Sequence, residues 1–495
     1  MERASGILMH ISSLPSKYGI GTLGREAFRF VDFLKRAGQK YWQVLPVGHT
    51  GFGDSPYQVF SMFAGNPNFI DLEMLIEQGL LNKKEVEAVD WGEDGRYVEY
   101  GKIYESRANI LKSAYMRAGE DMLDEMNAFR AEEADWVEDY ALFMALKQHF
   151  HMRSFLEWDD RAIRLREPEA VARYKLFLQN EITFYIFVQY LFFKQWAVLR
   201  AYVKEAGIKL IGDIPIYVAP DSADVWVNPQ YFQLDEERFP TAVAGVPPDY
   251  FSATGQLWGN PLYDWERVKA DGYRLWRKRF SMASRQFDVV RIDHFRGFES
   301  YWSIPFGEKT AMNGKWVKGP GLEALRVLQD CFPQTEIIAE DLGQMTEGLR
   351  EFVNESGLPG MKVLQFAFDS KEQSNYLPHS YQPFCVCYTG THDNTTAGGW
   401  LTHLSEEDEA YARAYLGLHE AEGTAWGLIR GGMASVASLF IMQMQDCLEL
   451  SDDCRMNLPG TIQGNWRWRC SKEEISNELA DKLRYFTYIY GRTYG

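Results

Sequence analysis

The strongest constraint in this 495-residue chain is a recurrence. Short apolar segments, each running into polar or acidic residues at its C-terminal end, return eight times. They lie at 6–14 (GILMHISSL), 41–47, 209–217, 287–295, 336–342, 361–366, 384–391 and 439–445. Helical patterns fall between most of them, at 25–37, 276–285, 321–328 and 408–416. Strand–helix alternation carried through eight rounds predicts an α/β chain folded as a (β/α)8 TIM barrel rather than an open sheet. Two stretches exceed what a barrel needs. Residues 72–205, between the second and third strands, are charged and helix-like and read as a helical insertion. The region from 219 to about 275, after the third strand, begins with Pro-, Gly-, Asp- and aromatic-rich sequence up to 264 and reads as a long irregular loop. Loops of that length in a compact fold usually carry function. The remainder of 1–495 reads as one barrel unit ending in a closing helix.

Composition excludes several classes. Hydrophobic residues at 46% and charged residues at 24% rule out wholesale disorder. A net charge of −17 argues against nucleic acid and against anionic membrane surfaces as partners. The most apolar stretch, 182–193, is interrupted by Thr183 and Gln189 and reads as too short for a membrane span. The N-terminus lacks the long apolar core of a secretory signal. Six cysteines without a CxxC pair read as reduced thiols in a cytoplasm, with Cys385 and Cys387 as small core residues of one strand. Aromatic residues reach 15%, which suits a large core and equally suits a groove whose aromatic faces stack on sugar rings. No His/Cys/Asp cluster has ligand spacing and no EF-hand loop occurs, so neither a catalytic metal nor a cofactor is expected. The glycines of GIGTLG, Gly19, Gly21 and Gly24, read as tight turns rather than a nucleotide loop, because no acidic ribose partner follows. His10 reads as a core histidine, and the GNWRWR segment around Trp466 as packing at the barrel closure.

Three strands end in acidic signatures. In VVRIDHFRGF, alternation puts Arg291 and Asp293 on one face and Val290 and Ile292 on the other. The same parity pairs Ile338 with Glu340 in EIIAEDLG, and Thr389 and Thr391 with Asp393 in CVCYTGTHDN. A charge aimed into a barrel is costly unless it lies at the open end and is paired. Either the three carboxylates line the mouth, or these strand boundaries are wrong. Converging acids have a chemical use. Cleavage of a glycosidic bond with retention needs a carboxylate nucleophile and a carboxylic acid about 5–5.5 Å apart. A third acid can oppose the positive charge of the transition state. Arg291 would pair with Asp293, and a glutamate crowded by two aspartates would have a raised pKa, which suits a proton donor.

The chain resembles the 4-α-glucanotransferases (amylomaltases or disproportionating enzymes, glycoside hydrolase family 77) of the α-amylase clan. The resemblance spans nearly its whole length and rests on SSLPSKYGIGTLG, WQVLPVGHTGFGDSPYQVFSMFAGNP, LIGDIPIYV, PPDYFSATGQLWGNPLYDW, VVRIDHFRGF, EIIAEDLG, GTHDNTT and MNLPGTIQGNWRWR. It implies Asp293 as nucleophile, Glu340 as general acid/base and Asp393 as the stabilising third carboxylate. It further implies Tyr57, Asp213, Arg291, His294, His392, Asn394 and Asn457 as substrate contacts, and Trp258 as an aromatic on the acceptor side. Phe52 stands where relatives often carry Tyr at a second glucan-binding groove. The implied activity is transfer of an α-1,4-glucan segment from a maltooligosaccharide donor to the 4-hydroxyl of glucose or a maltodextrin, with the loop from Tyr250 to Trp258 shielding the intermediate from water. A retaining α-glucan hydrolase shares the same carboxylates, and a silent glucan-binding protein is the alternative outside enzymes.

Overall fold

A computed structural model describes residues 2–51, 53–248, 252–343, 345–372 and 374–493. Its centre is a closed barrel of eight parallel strands: β1 (Ala4–Leu8), β2 (Tyr41–Gln43), β3 (Lys209–Pro215), β4 (Val289–Asp293), β5 (Glu336–Ala339), β6 (Gly360–Val363), β7 (Cys385–Tyr388) and β8 (Leu439–Gln443). Each strand pairs with its neighbours in sequence, and β8 closes on β1 with Ala4 opposite Leu439 and Leu8 opposite Gln443. The (β/α)8 expectation therefore holds in strand number, order and closure. The strands read as near-continuous apolar runs because helices cover their outer faces while side chains fill the interior. Val289, Val290 and Ile292 are wholly buried, as are Leu439, Phe440, Ile441 and Met442.

Several strands are shorter than the apolar pattern suggests. β1 stops at Leu8, and Ile11–Ser13 form a 3-10 turn. That turn is met by Gly21, where an added Cβ would lie 1.9 Å from the Ile11 carbonyl oxygen. This close backbone approach accounts for a glycine there. β7 stops at Tyr388, so alternation no longer governs where the side chains of 389–393 point.

Between β2 and β3 the chain forms a run of helices, among them Tyr100–Tyr115, Glu120–Glu132, Val137–His149, Pro168–Phe177 and Gln179–Glu205. The apolar stretch at 182–193 is the centre of the last of these. At 27 residues it is, by length and composition alone, long enough to cross a bilayer, which corrects the reading of that stretch as too short. Two-thirds of its apolar window is buried inside the protein. The polar interruptions have partners. Gln189 accepts from the Gly65 N–H at 2.8 Å and donates to the Gly65 carbonyl at 2.9 Å, and Gln195 makes the same double contact with the backbone of Asp71. Side-chain amides thus stand in for a neighbouring strand.

The region after β3 is more regular than expected. Ala242–Val246 and Gln256–Pro261 are strands, and they join Ser300–Pro305 and Lys315–Lys318 from the segment after β4 in a four-stranded antiparallel sheet. Gly and Pro in AVAGV and QLWGNP argue locally against strands. The partner that makes them strands lies about sixty residues downstream, in the register Ala242–Pro305 to Gly245–Trp302.

Candidate active site

The C-terminal ends of β3 and β4 build the floor of the site. Register places Asp213 opposite Arg291 and Pro215 opposite Asp293. Arg291 and Asp213 are 3% and 2% exposed, so both charges are out of water. Arg291 Nη1 donates to both Asp213 oxygens, at 2.7 and 2.6 Å, and to Asp293 Oδ1 at 3.1 Å. Tyr57 donates its hydroxyl to Asp213 Oδ2 at 2.8 Å. Burial opposes the Arg291 charge, but Asp213 and then Asp293 hold its pKa well above the ordinary range. One guanidinium thus neutralises a buried carboxylate and orients a second whose side chain is 28% exposed to the mouth.

Glu340 lies one residue beyond β5, yet its N–H still bonds the Ile292 carbonyl at 3.1 Å and extends the ladder. Its carboxyl receives the His294 N–H at 2.7 Å and the Leu342 N–H at 2.9 Å. The first of these bonds depends on a left-handed backbone at His294 (φ 51°), immediately after Asp293. Such a conformation costs a non-glycine residue about 1–3 kcal/mol, and residues of this kind cluster where geometry serves chemistry. Burial pushes the Glu340 pKa up to about 7; Arg291 opposes the rise, Asp293 adds to it, and the two N–H bonds oppose it. The expected elevation is present, but its first cause is burial rather than crowding by two aspartates.

Asp393 lies at the apex of the turn after β7, with its side chain 46% exposed. Asn457 Nδ2 donates to its Oδ1 at 2.6 Å, and His392 Nε2 lies 3.3 Å from the same oxygen. The His392 ring stacks on Tyr57 (centroids 5.0 Å apart, planes at 21°), and Trp466 packs against both. His294, held neutral by burial with its pKa lowered to about 4, packs perpendicular to the Trp258 ring with centroids 4.8 Å apart. Its Nε2 is buried without a protein partner.

The structure therefore gathers Asp293, Glu340, Asp393, Arg291, Asp213, Tyr57, His294, His392, Trp258 and Asn457 around one mouth. Asn394 is placed differently: its side-chain oxygen accepts from the Thr391 N–H at 2.8 Å and the Thr391 hydroxyl at 2.9 Å, so it shapes the turn that carries Asp393. Phe52 and Tyr250 lie outside the described residues. The sequence pattern around Trp466 suggests packing at the barrel closure. Trp466 instead forms part of the wall beside Tyr57, on a left-handed backbone (φ 63°), and its position close after MNLPG is the one signal that could have marked it. His10 is a buried side chain, as read; burial, with His392 nearby, lowers its pKa to about 3. Among the described residues no group of three or more His, Cys, Asp or Glu side chains could hold a metal ion.

Comparisons with known proteins agree over the full length. The family described as 4-alpha-glucanotransferase matches residues 9–475. The 4-alpha-glucanotransferase of Clostridium butyricum is 49% identical over 486 residues, covering 98% of this chain and all of the relative. That of Streptococcus pneumoniae is 46% identical over 494 residues, covering 99% and 98%. Among solved structures, the amylomaltase from Streptococcus agalactiae in complex with acarbose superposes with a TM-score of 0.97 at 42% identity, each chain covered completely.

Proposed function

Because this chain belongs to the 4-alpha-glucanotransferase family, and so is a glycosyl-transferring enzyme, we propose that it moves α-1,4-glucan segments by double displacement through a covalent glycosyl-aspartate. Asp293 attacks the anomeric carbon of the donor while Glu340 gives its proton to the departing 4-oxygen. The donor's reducing-end fragment leaves, and the held segment remains ester-bonded to Asp293. Glu340, now a carboxylate, takes the proton of an acceptor 4-hydroxyl as that oxygen attacks. Two inversions at one carbon leave the α configuration unchanged. Asp393 opposes the positive charge that builds on the ring, and Arg291 keeps Asp293 aimed.

One observation carries this reading. Two neighbouring carboxyls sit in opposite environments, Asp293 on a guanidinium at 3.1 Å and Glu340 buried with its pKa up at about 7. Such a division supports nucleophile and acid assignments respectively. In this reading 1–495 is one catalytic barrel, the helices within 72–205 buttress it, and the 219–275 region walls the acceptor side through Trp258. Donors are maltooligosaccharides; acceptors are glucose or a maltodextrin. All six cysteines are free, which favours the cytoplasm as its compartment.

Incubation with maltotriose alone tests the proposal. Transfer yields glucose and a ladder of longer maltodextrins at a constant number of reducing ends. Reducing ends rising in step with turnover would mean hydrolysis and overturn it. A second outcome concerns pH. The first step needs protonated Glu340, so kcat/KM for maltotriose is expected to be full below about pH 7 and to fall as pH rises through that value. A flat profile from pH 6 to 9 would remove Glu340 as the acid.

A further inference from the structure

We propose that Asp446 and Arg455 are positioning residues that set the place of Asp393 by holding the entrance, exit and apex of its loop. The proposal rests on the reading of Asp393 given above. The loop 389–397 leaves β7 at Thr389, turns at 391–394, and enters the short helix Ala397–Trp400. A single carboxylate from the segment after β8 takes both of its ends. Asp446 Oδ2 accepts the Thr389 hydroxyl, and Asp446 Oδ1 accepts the Ala397 N–H at 2.7 Å. Asp446 is fully buried, and the groups that act on its carboxyl are hydrogen-bond donors from Ala397, Thr389 and Gln443. Burial pushes its pKa up to about 6; convergent hydrogen-bond donors oppose that rise, and two of them, the Ala397 N–H and the Thr389 hydroxyl, belong to the Asp393 loop.

The same downstream segment reaches the apex. Arg455 donates through Nη2 to the Asp393 carbonyl and through Nε to the Asn457 carbonyl at 2.6 Å. Asn457 in turn gives its N–H to the His392 carbonyl at 3.1 Å and its side-chain amide to Asp393. Asp452 takes the Thr395 hydroxyl and the Thr396 N–H (3.4 Å) on the return limb. β8 is joined to β1 and β7 through backbone pairing, so the Asp446 and Arg455 side-chain contacts named here serve the loop rather than barrel closure.

The chemistry of the ties predicts a graded result. Asparagine at 446 can still accept the Ala397 N–H with its oxygen and can donate to a Thr389 hydroxyl turned the other way, whereas alanine can do neither. Asp446→Ala is expected to lower kcat about 10²-fold with KM for maltotriose unchanged, the scale of a misplaced catalytic group. Asp446→Asn is expected to recover most of that loss. Arg455→Met, at a partly exposed position that leaves the core intact, is expected to lower kcat at unchanged KM and decides the matter if Asp446→Ala does not fold. Wild-type kcat in Arg455→Met, or equal losses in Asp446→Asn and Asp446→Ala, would overturn the proposal. Asp393→Asn is measured alongside. If it keeps wild-type kcat, the reading of Asp393 fails; if it is inactive while Asp446→Ala and Arg455→Met match the wild type, only the positioning proposal fails.

Discussion

Asp293→Asn is expected to reduce turnover on maltotriose at least about 10⁴-fold, the scale seen when a covalent nucleophile is removed. Maltodextrin binding should stay close to that of the parent. An amide oxygen is a poor nucleophile, and the covalent glycosyl-enzyme intermediate cannot form. The shape of the site survives, because the Asp213 contacts of Arg291 do not involve residue 293. The side-chain oxygen of asparagine can still accept from Arg291 at the 3.1 Å separation. Calorimetric titration with maltotriose beside initial-rate assays separates the two effects. Retained turnover would remove Asp293 from the role of nucleophile. Loss of binding together with turnover would make its contribution one of holding substrate.

Arg291→Met should be the most damaging change to the protein as a whole. It removes one partner of a buried ion pair and leaves Asp213 beneath the site without its cation. Breaking such a pair costs about 3–5 kcal/mol, so the unfolding midpoint should fall measurably. Activity should be lost with it, since Asp293 loses the guanidinium that orients it. In whatever residual activity remains, the alkaline limb should move upward. Arg291 is the leading influence that opposes the elevation of Glu340, so without it that carboxyl keeps its proton to higher pH. Thermal unfolding and a pH–rate profile of the residual activity read the two effects independently. A variant as stable as the parent would mean that Asp213 is protonated or otherwise satisfied in the folded protein.

Much of this organisation is legible in the chain itself, and the reasons are local. β3 and β4 could be read because both of their faces are covered, which makes them apolar through most of their length and leaves Asp213, Arg291 and Asp293 conspicuous. Glu340 and Asp393 were found for a partly different reason. Both lie beyond the ends of β5 and β7: Glu340 still continues the β5 ladder, so parity reaches it and the His294 N–H holds its carboxyl, whereas Asp393 is directed by the Thr391–Asn394 turn, which does not follow from periodicity. The sheet of 242–261 and 300–318 escaped because its strands are defined by pairing across a long separation, while their Gly and Pro content argued for loop. Trp466 escaped for a similar reason: a tryptophan in a basic, aromatic run looks like packing until Tyr57 and His392 are seen against it. Asp446 gave no signal, because an acid in a short helix after a strand has the look of a cap.

The split origin of the four-stranded sheet bears on how this enzyme can be altered. Trp258 rides on the edge strand of a sheet whose members come from both sides of the segment bearing Asp293 and His294: its one neighbour, Ala242–Val246, pairs in turn with Ser300–Pro305. A graft that imports 219–275 from a homologue would bring in half a sheet and leave the host's Ser300–Pro305 to pair with a foreign edge. Chimaeras meant to retune acceptor choice would have to exchange 300–318 in the same step, and so would inherit whatever tilt those strands impose on the turn after β4.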